Sequence, residues 1–360
     1  MCAARTGQDG MIEIDGEMGE GGGQVVRSAL TLSLLTGQEV RIEGVRARRD
    51  RPGLRFQHLA AVQAAARVGQ ARVEGDRVGS RSLRFQPGRV QPGRFHFDIG
   101  TAGATSLVLQ TVLLPLALAS GPSAVVVTGG THVPSSPCFH YLEWHWRWLM
   151  GRLGVEFSLS MLRAGFYPPG GGEIRAAIRG MARPRGLQLA HRGRLIRVRG
   201  LSAVANLPAD IATRQRARTM LLLGGLGCPV EIRLETLPAP SPGTVLVLLA
   251  EFEHSQACFS ALGARGKRAE LVAEEAAEGL LAFLATDGAV DAWAADQLLL
   301  PLACAPEPSV LRTMQVTLHL LTQAAVIERF LPARITVHGA PGEPGTVYIV
   351  PGHRAGGTGA

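Results

Sequence analysis

The chain has 360 residues, 46% of them hydrophobic and 18% charged, enough apolar material for a sizeable core in one large or two ordinary domains, which excludes wholesale disorder. Its 45 Gly and 22 Pro favour short elements joined by tight turns over a long-helix bundle, and the absence of a G-x-y period excludes collagen. The formal charge is +8, and Lys267 is the only lysine among 37 basic residues; an arginine-rich coding composition is the plainer reading, but the many planar guanidinium forks still favour a polyanionic substrate.

A short apolar strand over 11–14 leads into the turn Gly19-Glu20-Gly21-Gly22-Gly23. An apolar-periodic helix follows over about 24–35, with Gly37 as its C-terminal cap. A glycine cluster ahead of a helix bares several amide N–H groups to a phosphate. Glu20 sets a carboxylate beside that turn, where a divalent cation can be held, and Arg27 offers a fork one turn into the helix. The bland alternative is a sharp turn with a solvated acid and base. A strand over 39–45 then runs into Arg46-Ala47-Arg48-Arg49-Asp50-Arg51-Pro52-Gly53, a dense positive loop that either binds phosphate or is simply solvated; Gln57-His58-Leu59 comes next.

A second unit has the same pattern. It has a strand over 95–99, the small-residue turn Gly100-Thr101-Ala102-Gly103, a helix over about 104–119, Gly121 and a strand over 123–128. Gly23 and Gly103 lie 80 residues apart, which hints at an internal strand–helix–strand repeat. Further on, Gly165-Phe166-Tyr167-Pro168-Pro169-Gly170-Gly171-Gly172 is a turn whose aromatic lead can stack on a base, although a structural turn is the plainer reading.

From Leu187 to about Leu280 the texture changes. Basic segments around Arg192 to Arg199 precede a polar helix near 211–223, strands over 230–236 and 244–251, and an acidic helix near 269–284, so this stretch reads as an inserted subdomain. Apolar text resumes with a helix over 292–303, a strand over 312–316, a helix over 319–330 and a strand over 334–337. The glycine-rich end, 352–360, reads as frayed. His319 opens an apolar helix, where the helix dipole disfavours imidazolium and a neutral imidazole is a competent nucleophile; a histidine in that place is as a rule structural.

Several chemistries are excluded. Gly266-Lys267-Arg268 fails the phosphate-loop pattern at its last position, and no other lysine exists for a lysine-linked nucleotidyl transfer or a pyridoxal phosphate. No G-x-S-x-G elbow is present. Cys138, His140 and His145 cluster, but their spacing is not that of a zinc site. The five cysteines are scattered and read as free thiols in a reducing compartment; with no apolar leader over 1–10 and no span longer than the interrupted run 105–120, the expectation is a soluble, cytoplasmic protein with no membrane contact.

Taken together, the segments DGEMGEGGGQVVRSAL, VRARRDRPGLRFQHL, GTAGATSLVLQTVLLPL, GFYPPGGGE, WAADQLLLPLA and HLLTQAAVIERFLP resemble the RNA 3′-terminal phosphate cyclase family, in family order from about Met11 to Gly339. The resemblance implies an α/β fold. A large domain of repeated β-α-β-α-β-β units related to the enolpyruvyl transferases would cover 11–186 and 281–340, a smaller α/β domain would be inserted over 187–280, and 341–360 would be a C-terminal tail. It also implies a reaction, in which ATP converts an RNA 3′-phosphate to a 2′,3′-cyclic phosphodiester through a histidine-bound AMP.

By the same resemblance the nucleophile falls on His319, and the metal-associated glutamate, for Mg2+ or Mn2+, on Glu20. Phosphate and RNA contacts fall on Arg27, Arg46, Arg49 and Gln57. ATP contacts fall on Gln110 and on Trp293-Ala294-Ala295-Asp296-Gln297. A homodimer is expected from the resemblance alone. The sequence departs from the family at Arg48, usually a glycine, which leaves open which of Arg48, Arg49 and Arg51 touches RNA; at Gln323, usually Asn; and at Trp293, often Tyr, where either ring can stack on adenine. Two rival readings are a non-catalytic ribosome-assembly branch, which lacks the histidine that stands here at 319, and an enolpyruvyl transfer, which would leave His319 without a covalent role.

Overall fold

The computed structural model describes residues 10–352, so Cys2 and nearly all of the glycine-rich end lie outside the described residues. The first unit runs β1 (Ile12–Asp15), α1 (Gly23–Thr36), β2 (Val40–Glu43), α2 (Phe56–Gly69), β3 (Arg72–Glu74) and β4 (Ser82–Gln86). Its sheet order is β1-β2-β4-β3. β1 and β2 are parallel, and β4 is antiparallel to both of its neighbours.

The second unit repeats this plan with β5 (Arg94–Asp98), α3 (Thr105–Leu118) and β6 (Ser123–Gly129). Its second helix is built from α4 (Phe139–Tyr141), a π-helical turn (Leu142–Trp146) and α5 (Arg147–Arg152). β7 (Phe157–Arg163) and β8 (Gly172–Ile178) complete it in the order β5-β6-β8-β7.

The third unit opens with β9 (Gln188–Leu189) and is then interrupted. The insert comprises β10 (Leu195–Ala205), α6 (Asp210–Leu223), β11 (Val230–Thr236), β12 (Gly243–Phe252), β13 (Gln256–Leu262) and α7 (Ala269–Leu284), with sheet order β11-β10-β12-β13. The unit resumes as α8 (Ala292–Ala303), β14 (Ser309–Thr313), α9 (Leu318–Phe330), β15 (Arg334–His338) and β16 (Gly345–Val350), and its sheet order β9-β14-β16-β15 matches that of the other two. The expected repetition of β-α-β-α-β-β units is therefore present three times.

Two details differ from the sequence reading. β14 occupies 309–313, not 312–316, because the chain leaves the sheet after Thr313, and Val316 makes only an isolated bridge to Pro341. The segment expected as a tail, 341–360, contains β16, which lies between β14 and β15. Val347 and Ile349 are fully buried there and alternate with exposed Tyr348 and Val350, the two-residue period of a strand with one face on a core.

Burial explains the layering. α1 turns Val25, Val26, Ala29 and Leu30 inward and stops at Gly37, whose φ of 71° closes the helix through an N–H bond to the carbonyl of Ser33. α3 is apolar on nearly every side, with Leu109, Val112, Leu113 and Leu116 wholly buried, so it sits between other layers. α1 packs on α2, α3 and α9, and α8 packs on α9. The insert is tied in through β12, which is buried on both faces. Val245, Val247 and Leu249 join the main core, while Leu246, Leu248 and Ala250 join a second core with Val272, Leu280 and Phe283 of α7. Among the described residues no helix is long and apolar enough to cross a membrane.

If α3 is the centre of the packing, Leu109→Ala should lower unfolding stability by about 2–5 kcal/mol. A denaturant midpoint unchanged from that of the parent would contradict this placement.

Candidate functional site

The N-terminal ends of α8 and α9, the first turns of α1 and one side of α3 face a single cavity of about 620 Å³, a size typical of small-molecule sites. Arg27, Gln110, Trp293, Asp296, Gln297, His319 and Gln323 line it, and the insert contributes Leu262, Ala264, Lys267 and Glu275.

His319 is the second residue of α9, whose cap is Thr317; the Thr317 hydroxyl accepts the N–H of Leu320 at 3.0 Å. Nδ1 of His319 lies 2.8 Å from Oε2 of Glu20, and the histidine side chain is 44% exposed. The same Glu20 oxygen accepts a bond from Nη2 of Arg49 at 3.0 Å. A carboxylate on Nδ1 fixes the ring and its tautomer and leaves the Nε2 lone pair free. Close packing of the glycine turn on α9 makes this possible: a Cβ on Gly19, which has φ +58°, would fall 1.9 Å from Oγ1 of Thr322. Behind it, Ser28 donates to Oε1 of Gln323, so the departure from Asn at 323 retains a side-chain amide that bonds to α1.

Arg27 is half-buried, and its desolvation lowers its pKa to about 10, against the opposing charge of Asp296. Burial holds the Asp296 carboxyl well above the usual range; the charge of Asp291 adds to this, and Arg27 opposes it. Gln110 donates to Oε1 of Gln297 at 2.7 Å across the cavity wall. Trp293 is 48% exposed. Ala294 and Ala295, also expected at the nucleotide, are fully buried in the core and do not line the cavity.

The arginine loop is placed differently. Arg46 has φ 53° and spends Nη1 on the carbonyls of Arg51 and Gly53, at 2.8 and 2.9 Å, so it shapes its own loop. Arg49 reaches Glu20, and Arg48 bonds the carbonyl of Gly19 at 3.3 Å. Gln57 accepts the N–H of Ala104 at 2.8 Å, at the start of α3, and does not line the cavity. The side chains of His140 and His145 are engaged apart from one another: His140 meets His132 at 3.0 Å, and His145 meets Asp291 at 2.7 Å.

A residue packed beside the site, behind Arg27, carried no sequence signal of its own. His58 accepts the N–H of Arg55 on Nδ1 at 3.2 Å, and a Cβ on Gly23 would fall 2.2 Å from its Nε2 and 3.0 Å from Nη1 of Arg27. Burial, then the charges of Arg27, Arg46 and Arg55, lower its pKa to about 3. His58 therefore stays neutral, with its hydrogen on Nε2 beside Arg27 and the first turn of α1. Its place next to Gln57 in the motif was the only available clue.

These features define a class: an α/β protein of repeated units in which a helix-start histidine and a half-buried arginine line one small-molecule cavity, with a glycine-rich turn packed against the histidine's helix. The comparisons give the family. The family model for RNA 3′-terminal phosphate cyclase matches residues 18–337. Proteins named RNA 3′-terminal phosphate cyclase match from Methylococcus capsulatus (46% identity, covering 94% of this chain and 96% of that one), Nostoc punctiforme (45%, covering 92% and 97%) and Methanopyrus kandleri (43%, covering 95% and 99%). The chain belongs to the RNA 3′-terminal phosphate cyclase family. Among solved structures, the enolpyruvyl transferase NikO from Streptomyces tendae is similar at 17% identity with a TM-score of 0.28, over 59% of this chain and 38% of that one; the repeat architecture rests on the three matching sheet orders instead.

The buried histidine gives a pH prediction. Its folded pKa, about 3, lies below its unfolded value of 6.5, so its contribution is present above pH 6.5 and is lost as pH falls towards 3. His58→Gln should therefore remove about one proton, or about 1.4 kcal/mol per pH unit, from the slope of stability against pH between 4 and 6. Equal slopes in the two proteins would place His58 in solvent.

Proposed function

We propose that this chain uses ATP to convert an RNA 3′-phosphate end to a 2′,3′-cyclic phosphodiester, through an AMP carried on His319. The observation that carries the reading is the 2.8 Å contact between Glu20 and Nδ1 of His319 at the cavity wall, which leaves Nε2 as the ring nitrogen available for attack. Nε2 attacks the α-phosphorus of ATP, the bond to the bridging oxygen breaks, and pyrophosphate leaves with the electron pair. An oxygen of the RNA 3′-phosphate then displaces the histidine and takes the AMP. Last, the adjacent 2′-OH attacks the RNA 3′-phosphorus, the bond from that phosphorus to the oxygen bridging to AMP breaks, AMP leaves, and the hydroxyl proton is released.

A phosphate monoester has no good leaving group, and adenylylation supplies one. Ring closure is then intramolecular, so the protein need only align groups and neutralise charge. Arg27 and the Nε2–H of His58 face the first turn of α1, which suits a phosphate. The Trp293 ring offers a stacking face for adenine, with Gln110 and Gln297 beside it. Arg49 and Arg48 extend the positive surface outward for RNA. Glu20 is the residue that would hold a divalent cation; a single carboxylate fits an ion that takes its remaining oxygens from phosphate and water, and such an ion would neutralise phosphate charge. A cytoplasmic location and a homodimer belong to the same proposal and rest on composition and on the resemblance.

The test is covalent labelling with α-labelled ATP and a divalent cation, followed by denaturation. The parent should hold an acid-labile, alkali-stable AMP that RNA with a 3′-phosphate discharges, and His319→Ala should hold none. Retained labelling in that variant would overturn the assignment of the nucleophile. Glu20→Ala should weaken the metal dependence of labelling; an unchanged metal titration would remove Glu20 from the cation's ligands.

A further inference from the structure

Beneath Trp293 lies a buried polar cluster that the proposed reaction does not use. Asp291 caps α8: its Oδ1 accepts the N–H groups of Trp293 and Ala294 at 3.1 and 2.9 Å. The same oxygen accepts the hydroxyl of Tyr141 at 3.0 Å, and Oδ2 lies 2.7 Å from Nε2 of His145. Both side chains of the acid–imidazole pair are almost wholly buried, at 2% and 0% exposure, and Tyr141 is fully buried as well. The Tyr141 ring stands edge-on to Trp293, 5.9 Å between centroids.

This arrangement is more than a helix cap requires. A cap needs one side-chain oxygen, and an asparagine serves as well as an aspartate. A buried acid–imidazole pair is weak evidence for stability, because desolvation offsets much of its attraction. Among the described residues Nδ1 of His145 is moreover buried with no hydrogen-bond partner, and the Nε2–Oδ2 approach is a close ion-pair contact without hydrogen-bond geometry, a further cost. Burial alone would raise the Asp291 carboxyl, yet His145, the Ala294 amide and Tyr141 together hold it below its usual range. Tyr141 immediately precedes the π-helical turn and His145 lies within it, an irregularity found mostly as single turns and frequently at functional sites. The turn interrupts the second helix of the second unit at the place where that helix meets the start of α8.

We propose that Asp291, locked by Tyr141 and His145, is a positioning residue that fixes the Trp293 ring and so sets the affinity of the cavity for a purine nucleotide. The inference rests on the reading of Trp293 as the adenine-stacking residue. Two buried partners hold the carboxylate, the carboxylate holds the backbone at Trp293, and the Tyr141 edge limits the indole's rotation. The ring is thereby ordered before nucleotide arrives, which lowers the entropy lost on binding.

The experiment compares Asp291→Asn, Tyr141→Phe and Trp293→Ala in the full chain. ATP binding is read by fluorescence or calorimetry, and KM and kcat by cyclisation of RNA with a 3′-phosphate. Asp291→Asn keeps the cap and removes the charge, while Tyr141→Phe keeps the ring and removes one hydrogen bond, so both should fold. The expected result is a rise of about tenfold in the Kd and KM for ATP, within the range of a lost stacking contact, with kcat at saturating ATP and the affinity for RNA within about twofold of the parent. Trp293→Ala should weaken ATP at least as much, and adding Asp291→Asn to it should then cost nothing more. If Trp293→Ala weakens ATP but the other two variants do not, the positioning role is overturned and the stacking reading stands. Unchanged ATP binding in Trp293→Ala would overturn both.

Discussion

The site depends on the packing of α1 from the first unit against α9 from the third. That contact lays the glycine turn beside the helix start that carries His319, and it brings Ser28 and Gln323 together across 295 residues of chain. Glycine at position 19 is a condition of it, since any side chain there would strike Thr322. Glu20 can orient His319 only because the two helices approach this closely. The rest of the cavity, from Arg27 on one wall to Asp296 on another, inherits its spacing from the same interface.

The charge state of the cavity follows from how deeply each group is buried. Asp296 is pushed towards its neutral form and His58 is held neutral, while the half-buried Arg27 is eased down only to about 10 and so remains a cation at neutral pH. Arg48 and Arg49 add charge on the solvent side, over the glycine turn. The outcome is a cavity that is positive without being lined by cations on every side. Such a site can hold a polyphosphate and still place an aromatic face and an uncharged imidazole beside it. The lone lysine contributes from the insert, where it is paired with Glu275 at the cavity's edge.

The three repeats explain why the fold was only partly legible. The strand–helix–strand halves of the first two units carry strong periodic signals, and the echo between Gly23 and Gly103 is the trace of the repeat. α2, β3 and β4 carry weaker ones, because α2 packs largely through alanines and β3 is three residues long. β9 is a two-residue strand that exists only through its pairing with β14. β16 was hidden because its alternation follows a glycine- and proline-rich turn that reads as the start of a tail.

Residue types and their order already supply the available chemistry: one lysine, a glycine turn with Glu20, a run of arginines and a histidine at a helix start. Motif order was enough to indicate the family, and helix periodicity placed α1, α3, α8 and α9 close to where they lie. Which of these groups meet is set by packing in three dimensions. It tied Gln57 to the start of α3, Arg46 to its own loop and Ala294 and Ala295 to the core. It also brought His58 beside Arg27 and set Asp291, Tyr141 and His145 beneath Trp293. The physical reason is that side-chain roles at a site depend on packing between units distant in sequence, and local spacing carries no record of which faces those units present to one another.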